Sequence, residues 1–256
     1  MPSLTTAQSV TFVGAGPGAA AHLTLGAYQA LQAAEVVIHD RLVGTEVLAL
    51  IPAHALRVDV GKEGFGPSTS QQAIDAALVA HAQTGKRVVR LKGGDCGVFG
   101  RLDEEIEALE AAGLGFTILP GLTSATVAAA AIGQSLTRRG RNKALRIVTG
   151  HDIAGFAEHD WAGIARAGAV TAIYMGKKSA RYIQGRLMMH GAAAATDVTV
   201  VANVSRPDQQ IIGSRSFAGD LALADDSTAV IVAGFQALAD RVMPDALAWV
   251  RGQGGG

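Results

Sequence analysis

The sequence predicts an α/β protein built from two α/β domains, and three observations carry that prediction. Of 256 residues, 49% are hydrophobic but only 5% aromatic, and 32 are glycine. A core drawn from Ala, Val and Leu suits sheets and helices stacked in layers. Short apolar runs alternate with amphipathic stretches as far as about residue 150, the pattern of a mostly parallel sheet with helical crossovers. From Asp197 strand-like runs follow one another with little helix between the first two, which predicts an antiparallel meander in an α+β second half.

The elements follow in order. "SVTFVG" reads as a strand. "LTLGAYQALQAA" reads as a helix with Thr24 as N-cap, because Leu25, Tyr28 and Leu31 recur about one turn apart. "EVVIHD" is the second strand. In "STSQQAIDAALVAHAQTG", Ser68 and Gln71 have capping-box spacing; Ile74, Leu78 and His81 share a face, and Gly85 stops the helix. "RVVRL" is a strand and "DEEIEALEAAG" a helix, with carboxylates in its first turn and Gly113 as its stop. "FTILPG" is a strand, followed by the alanine-rich helix "TSATVAAAAIG". The basic stretch "QSLTRRGRNK" interrupts the alternation, so the domain boundary falls between Leu136 and Lys143. Residues 1–138 form the first domain, 139–245 the second, and 246–256 a flexible tail. In the second domain "ALRIVTG" and "AVTAIYMG" read as strands and "DWAGIARAG" and "SARYIQGRLMMHG" as helices. "DVTVVANVSR", "QQIIGSRSF" and "STAVIVAG" are the closing strands.

Charge and composition exclude several functions. The 22 basic and 22 acidic residues cancel, which argues against a general nucleic-acid binder. The single cysteine, Cys96, permits neither an internal disulfide nor a multi-cysteine metal cluster. Seven histidines are scattered without paired-ligand spacing, so no metal site is expected. The apolar runs are too short for a membrane span, and no signal-peptide pattern opens the chain.

Three glycine loops carry the candidate chemistry. Gly14-Ala15-Gly16-Pro17-Gly18 follows the first strand. With Ala19 it meets the loose dinucleotide fingerprint, and Asp40 ends the next strand about where a ribose-binding acid stands. That fingerprint also requires a helix opening directly on the loop. Here the helical pattern starts only at Thr24, and Pro17 has no backbone N–H to offer. A ligand-free tight turn stays open for this loop taken alone. Gly93, Gly94 and Asp95 follow "RVVRL", and "LPGLTSAT" follows the fifth strand. Adjacent glycines let backbone approach a ligand, and a carboxylate accepts from hydroxyl or amino groups. The Gly93–Asp95 loop alone also reads as a strand-to-helix connection with unusual backbone angles. Three on one predicted carboxyl edge describe a pocket.

The stretches "VGAGPG", "LTL", "HDRLV", "VGK", "GKRVVRLKGGD", "VFGR", "PGLTSA", "LTRRG", "VTGH" and "YMG" occur in this order. With them the chain resembles the tetrapyrrole methyltransferases, in particular the uroporphyrinogen-III C-methyltransferases, over roughly residues 10–240. The resemblance implies two α/β domains with S-adenosylmethionine in the cleft between them, and S-adenosylhomocysteine as product. It implies a cytoplasmic homodimer that methylates the small-molecule tetrapyrrole uroporphyrinogen III to precorrin-2, for sirohaem or cobalamin-type synthesis, with no nucleic-acid or membrane partner. Matched motif by motif, the donor meets Pro17, Gly93, Gly94, Asp95, Val98, Thr123, Ser124, Met175 and the backbone near Val204 and Ala229. Asp40 and Lys62 match positions proposed for proton transfer. Core packing is the alternative for Met175. For Asp40 it is a salt bridge with Arg41 or a strand-end cap.

A sulfonium methyl is already an activated electrophile, so the enzyme's main task is alignment. After transfer the methylated ring carbon has no proton to lose; a nearby acid or base helps charge leave elsewhere in the ring. A polycarboxylate substrate needs local positive charge, for which Arg41, Lys62, Arg101, Arg138, Arg139 and Arg141 are the candidates. "TRRGRNK" also reads as a solvated loop.

Departures from the family pattern bear on specificity. Cys96 and Gly97 replace the usual proline and bulky residue after "GGD", and Leu102 and Asp103 replace Gly-Gly after "FGR". Ala19 stands for Asp, His39 for another aromatic and Arg138 for His. Cys96 is either a reactive thiol or a small packing residue. Three rivals remain. One methylates a later corrinoid precursor; "DRLV" with "VGK" speaks against it. Another modifies a macromolecule, which the neutral charge disfavours. A non-catalytic binding module is disfavoured by Asp40, Lys62 and an intact "GGD".

Overall fold

Alternation of side chains along the first five strands decides the architecture of the N-terminal half. The computed structural model describes residues 9–61, 70–140, 142–176, 178–193, 196–216 and 229–233. The chain divides into two compact units. The first runs to Ala131 and includes Asn203–Gln209; the second takes Ile132–Ala202 and the chain from Gln210.

The first unit contains β1 (Ser9–Gly14), a 3-10 turn (Ala20–His22), α1 (Leu25–Ala33), β2 (Val36–His39), α2 (Thr45–Leu48) and β3 (Leu56–Asp59). It continues with α3 (Gln71–Ala82), β4 (Val88–Lys92), α4 (Leu102–Ala111), β5 (Gly115–Leu119) and α5 (Ser124–Ala131). The five strands form one parallel sheet in the order β3-β2-β4-β1-β5. Val13, Val37, Val89 and Leu91 point to one face and pack with Leu31 of α1 and Val47 of α2. Val10, Phe12, Val36, Ile38 and Val88 point to the other and pack with Leu78 of α3 and Leu109 of α4. Strands covered on both faces explain the near-continuous apolar runs in the sequence.

Thr24 caps α1 as expected, its Oγ1 accepting from Ala27 N at 3.1 Å. The cap of α3 is Ser70 rather than Ser68: α3 begins at Gln71, so the Ser70 hydroxyl is the one that reaches Ala73 N, at 3.2 Å. Ser68 itself lies outside the described residues. Gly85 and Gly113 end their helices at φ +73° and +69°. The short α2 and β3 gave no periodic signal in the sequence, each being four residues long.

The second unit contains β6 (Arg146–Thr149), β7 (His151–Asp152), β8 (Gly155–Phe156), α6 (Trp161–Ala165), β9 (Thr171–Tyr174), α7 (Ala180–Met189), β10 (Asp197–Ala202), β11 (Gln210–Ser216) and β12 (Ala229–Ala233). Its sheet runs β11-β10-β12-β9-β6, antiparallel except for β6 beside β9. The last three strands are therefore antiparallel but not a meander. β12 inserts between β10 and β9, because "AVIVA" is apolar throughout and suits an interior place. "QIIGSRS" carries polar residues fit for an edge. Trp161, Ile164, Ile173, Ile183, Leu187, Val198 and Val200 form the core of this unit. Glu158 gathers Trp161 Nε1 (2.9 Å), the Tyr182 hydroxyl and the Arg186 guanidinium. These donors, Arg186 first, hold its carboxyl down to about 2. Among the described residues no helix is long and apolar enough to cross a membrane.

Candidate functional site

β4, β1 and β5 are neighbours, so the three glycine loops leave adjacent strand ends on one edge. Their backbones lock together. Ala15 N donates to Lys92 O at 2.8 Å, Gly16 N to Gly94 O at 3.1 Å, and Gly94 N to Gly16 O at 2.8 Å. A Cβ on Gly14 would lie 2.6 Å from Gly121 Cα, and one on Gly121 would collide with the Gly94 carbonyl. Only glycine permits this approach. Asp95 stitches the same loops: its Oδ1 accepts from Gly97 N and its Oδ2 from Gly121 N, each at 2.9 Å. Gly94, at φ +73°, faces open space where a side chain would stand, leaving room for a ligand against bare backbone.

A fourth loop closes on these. A Cβ on Gly93 would meet Leu42 Cβ at 2.7 Å, and one on Gly44 would meet Gly18 C at 2.7 Å. Asp40 Oδ1 accepts from Leu42 N at 2.9 Å, the strand-end cap considered above. Val204 is buried, with its carbonyl 3.1 Å from where a Gly18 Cβ would stand. Pro17, Gly93, Gly94, Asp95, Val204 and Asp40 are thus gathered at one end of the sheet. Thr123 and Ser124 follow Gly121, Ser124 opening α5. Val98 lies on the β4–α4 loop, where Phe99 and Arg101 both adopt φ +53°. Arg41 is exposed, and Arg101 forms a bidentate pair with Glu104 at 2.7 and 2.6 Å. Arg138, Arg139, Met175 and Ala229 belong to the second unit. Arg138 and Arg139 are exposed, Met175 is 51% exposed with φ +53°, and Ala229 pairs with Ala202. Exposure of Met175 removes the core-packing alternative. Lys62 and Arg141 lie outside the described residues.

The structure also rejects a dinucleotide loop. A 3-10 turn intervenes and α1 opens only at Leu25, so the helix that follows the loop in sequence does not open directly on Gly14–Gly18. Among the described residues no group of His, Cys, Asp or Glu is placed to hold a metal ion.

Beneath the Gly93–Asp95 loop lies a buried charge cluster that sequence reasoning missed. Glu105 binds Arg90 Nη2 at 3.0 Å and Lys92 Nζ at 2.6 Å, all three side chains being almost wholly buried. In the sequence Glu105 reads as a carboxylate serving the dipole of α4; instead it turns inward onto the sheet. The signal was present: Arg90 and Lys92 share one face of a strand whose other residues are apolar, and such a face needs an anion. Burial, and next Arg90, hold the Lys92 ammonium below its usual range. Cys96 is fully buried with its thiol pushed up to about 12, mainly by burial. It is the packing residue, not the reactive thiol. Iodoacetamide at pH 8 is expected to leave Cys96 unmodified in the folded protein and to label it fully in denaturant, read by intact mass; rapid labelling of the native protein would contradict its burial.

Residues 9–221 match the model of the tetrapyrrole (corrin/porphyrin) methylases. The chain belongs to the tetrapyrrole methylases. Siroheme synthase 3 of Aeromonas hydrophila is 40% identical over 247 residues, which is 96% of this chain and 52% of that protein. A siroheme synthase of Edwardsiella ictaluri is 42% identical over 226 residues, 88% of this chain and 49% of the relative. The chain thus spans about half the length of the curated relatives it matches. Among solved structures, uroporphyrin-III C-methyltransferase of Thermus thermophilus in complex with S-adenosylhomocysteine superposes with a TM-score of 0.75 at 33% identity, covering 89% of this chain and 97% of the other. A cobalt-precorrin-4 methyltransferase shares the methylase fold, with a TM-score of 0.76 at 23% identity over 88% and 94% of the two chains.

Proposed function

We propose that this methylase transfers methyl groups from S-adenosylmethionine to ring carbons of uroporphyrinogen III, giving precorrin-2 and S-adenosylhomocysteine. The observation that carries this reading is the backbone lock of three adjacent strand-end loops around the open face of Gly94, together with a 33% identical neighbour solved with S-adenosylhomocysteine. The residues present fit such a donor. Gly93 and Gly94 offer bare peptide edges, and Asp95, with lone pairs beyond the two hydrogen bonds it accepts, can still take a hydroxyl or amino donor. The donor, when bound, supplies an activated methyl group.

What the chain itself contributes is binding and alignment. The loops, fixed backbone to backbone, hold their peptide groups without reorganisation. Asp40 and Lys62 handle the proton that must leave the macrocycle after carbon–carbon bond formation. Leu42, Phe99 and Leu122, one on each of three loops, remain 52%, 44% and 40% exposed and offer apolar surface to the pyrrole faces of the macrocycle. Thr123, Ser124, Val98, Met175 and Ala229 complete the donor site, and the arginines 41, 101, 138 and 139 serve the carboxylate arms. The reading includes a homodimer in the cytoplasm; light scattering at twice the chain mass tests the dimer.

Incubation with S-adenosylmethionine and anaerobically generated uroporphyrinogen III is expected to add two methyl groups in succession, followed by mass spectrometry. No addition despite tight binding of S-adenosylhomocysteine would transfer the activity to another corrinoid substrate. Arg139→Ala is expected to raise KM for the tetrapyrrole about tenfold, the loss of one charge-assisted hydrogen bond, with the Kd of S-adenosylhomocysteine unchanged. An unchanged KM removes Arg139 from the site.

A further inference from the structure

The β10–β11 loop, Asn203–Gln209, groups with the first unit rather than with the strands that bear it. Its backbone is unusual. Asn203 and Ser205 both adopt left-handed conformations, φ +50° and +61°, a region Asn enters readily but Ser holds at a cost that its surroundings must offset. The loop is internally braced: Asn203 Nδ2 donates to Asp208 Oδ2 at 2.6 Å, Ser205 N to Gln209 Oε1 at 2.7 Å, and Arg206 N to Asn203 O at 3.0 Å. From this brace two side chains reach two different loops. Ser205 Oγ accepts from Ala19 N at 2.9 Å, and Arg206 Nη2 donates to Leu42 O at 2.7 Å. Gly18 makes room for the Arg206 stem, since a Cβ there would lie 2.6 Å from Arg206 Cγ.

The contact at Leu42 matters because that residue is held from three sides. Its Cβ rests on Gly93, its carbonyl is held by Arg206, and its N–H binds the Asp40 carboxylate at 2.9 Å. Fixing the Leu42 carbonyl fixes the plane of the following peptide, and with it the turn that aims the Asp40 side chain.

We propose that Arg206 is a positioning residue which, through Leu42, holds the Asp40 carboxylate against the donor loops, with Ser205 as the second tether on Ala19. Its consequence for catalysis rests on the proposed methyl transfer. Arg206 need not touch donor or substrate to matter; a carboxylate displaced by about an ångström loses most of its catalytic benefit.

Two measurements separate the positioning itself from that consequence. In Arg206→Ala, amide hydrogen exchange at Leu42 is expected to rise about tenfold, with exchange in β1, β2 and β4 unchanged. In the same variant kcat is expected to fall about tenfold, the Kd of S-adenosylhomocysteine changing less than twofold, and added guanidinium ion to restore part of the loss. In an Asp40→Asn background Arg206→Ala should cost nothing further, as required of residues acting in series. Arg206→Lys, which keeps the charge but not the fork, covers the case in which the alanine variant fails to fold and is expected to be intermediate. Unchanged exchange at Leu42 overturns the proposal. So does a raised substrate KM with kcat intact, which would make Arg206 a substrate contact, and so does an additive loss in the double variant. If the unmodified protein transfers no methyl group, the functional reading falls, and the exchange data alone still decide whether Arg206 holds the Asp40 loop.

Discussion

Glu105→Ala is expected to lower the unfolding free energy by about 3–5 kcal/mol, the cost of leaving buried charge without its partner. The arithmetic of charge explains why so much hangs on one residue. Arg90 and Lys92 bring two cations beneath the Gly93–Asp95 loop, and among the described residues Glu105 is the one anion bonded to both, at 3.0 and 2.6 Å. With 1% of its side chain exposed, water does not take its place. Glu105→Gln keeps the shape and still loses the charge, so its effect should be nearly as large. Lys92→Met leaves Arg90 and Glu105 as a balanced pair and should cost distinctly less. The Lys92 ammonium, already held low by burial and by Arg90, would fall further without the carboxylate that opposes both. Urea unfolding of the three variants measures the series; a loss below about 1 kcal/mol for Glu105→Ala, the range of a surface pair, would mean that the cluster is hydrated in solution.

The cluster also marks where sequence reading stopped. Strands, crossovers and glycine loops were legible because each follows from local rules: short apolar runs, a Thr24 cap, Gly85 and Gly113 at helix ends. The adjacency of the three loops was legible as well, since a parallel sheet puts every strand's carboxyl end on one edge. What was not legible depends on contacts distant in sequence. Glu105 looks like any first-turn carboxylate until α4 is laid on β4. Arg206 sits 164 residues from the carbonyl it holds, and nothing local distinguishes it from a solvated arginine. The insertion of β12 between β10 and β9 is likewise a choice between pairings that the runs themselves permit, decided by which run tolerates an edge. Family motifs pointed to Asp40 and Asp95 but not to what holds them: the Leu42 amide for one, and the loops tied to both carboxylate oxygens for the other.

Gly121→Ala tests the lock itself and carries the largest expected effect on binding. The added methyl would stand 2.8 Å from both Gly14 C and Gly14 Cα and would overlap the Gly94 carbonyl. All of these are backbone, so no flexible side chain can swing away; a loop must move. The loop that moves takes contacts with it. Shifting Gly94 breaks its paired hydrogen bonds with Gly16, and shifting Gly121 breaks its bond to Asp95 Oδ2. The strands themselves, buried and paired on both sides in β1 and β4, need not change, so the far-UV circular dichroism spectrum and cooperative unfolding should persist. A displacement of about an ångström in a preorganised site costs on the order of 100-fold, and that is the expected rise in the Kd of S-adenosylhomocysteine by calorimetry. Gly185→Ala is the matched control. Gly185 lies inside α7, where an added Cβ meets nothing within 4 Å, and should gain up to about 1 kcal/mol of helix stability with no change in affinity. If Gly121→Ala binds the nucleoside as tightly as the unmodified chain, the three strand ends do not form its cradle, because no accommodation of that methyl leaves Gly14, Gly94 and Gly121 where they are.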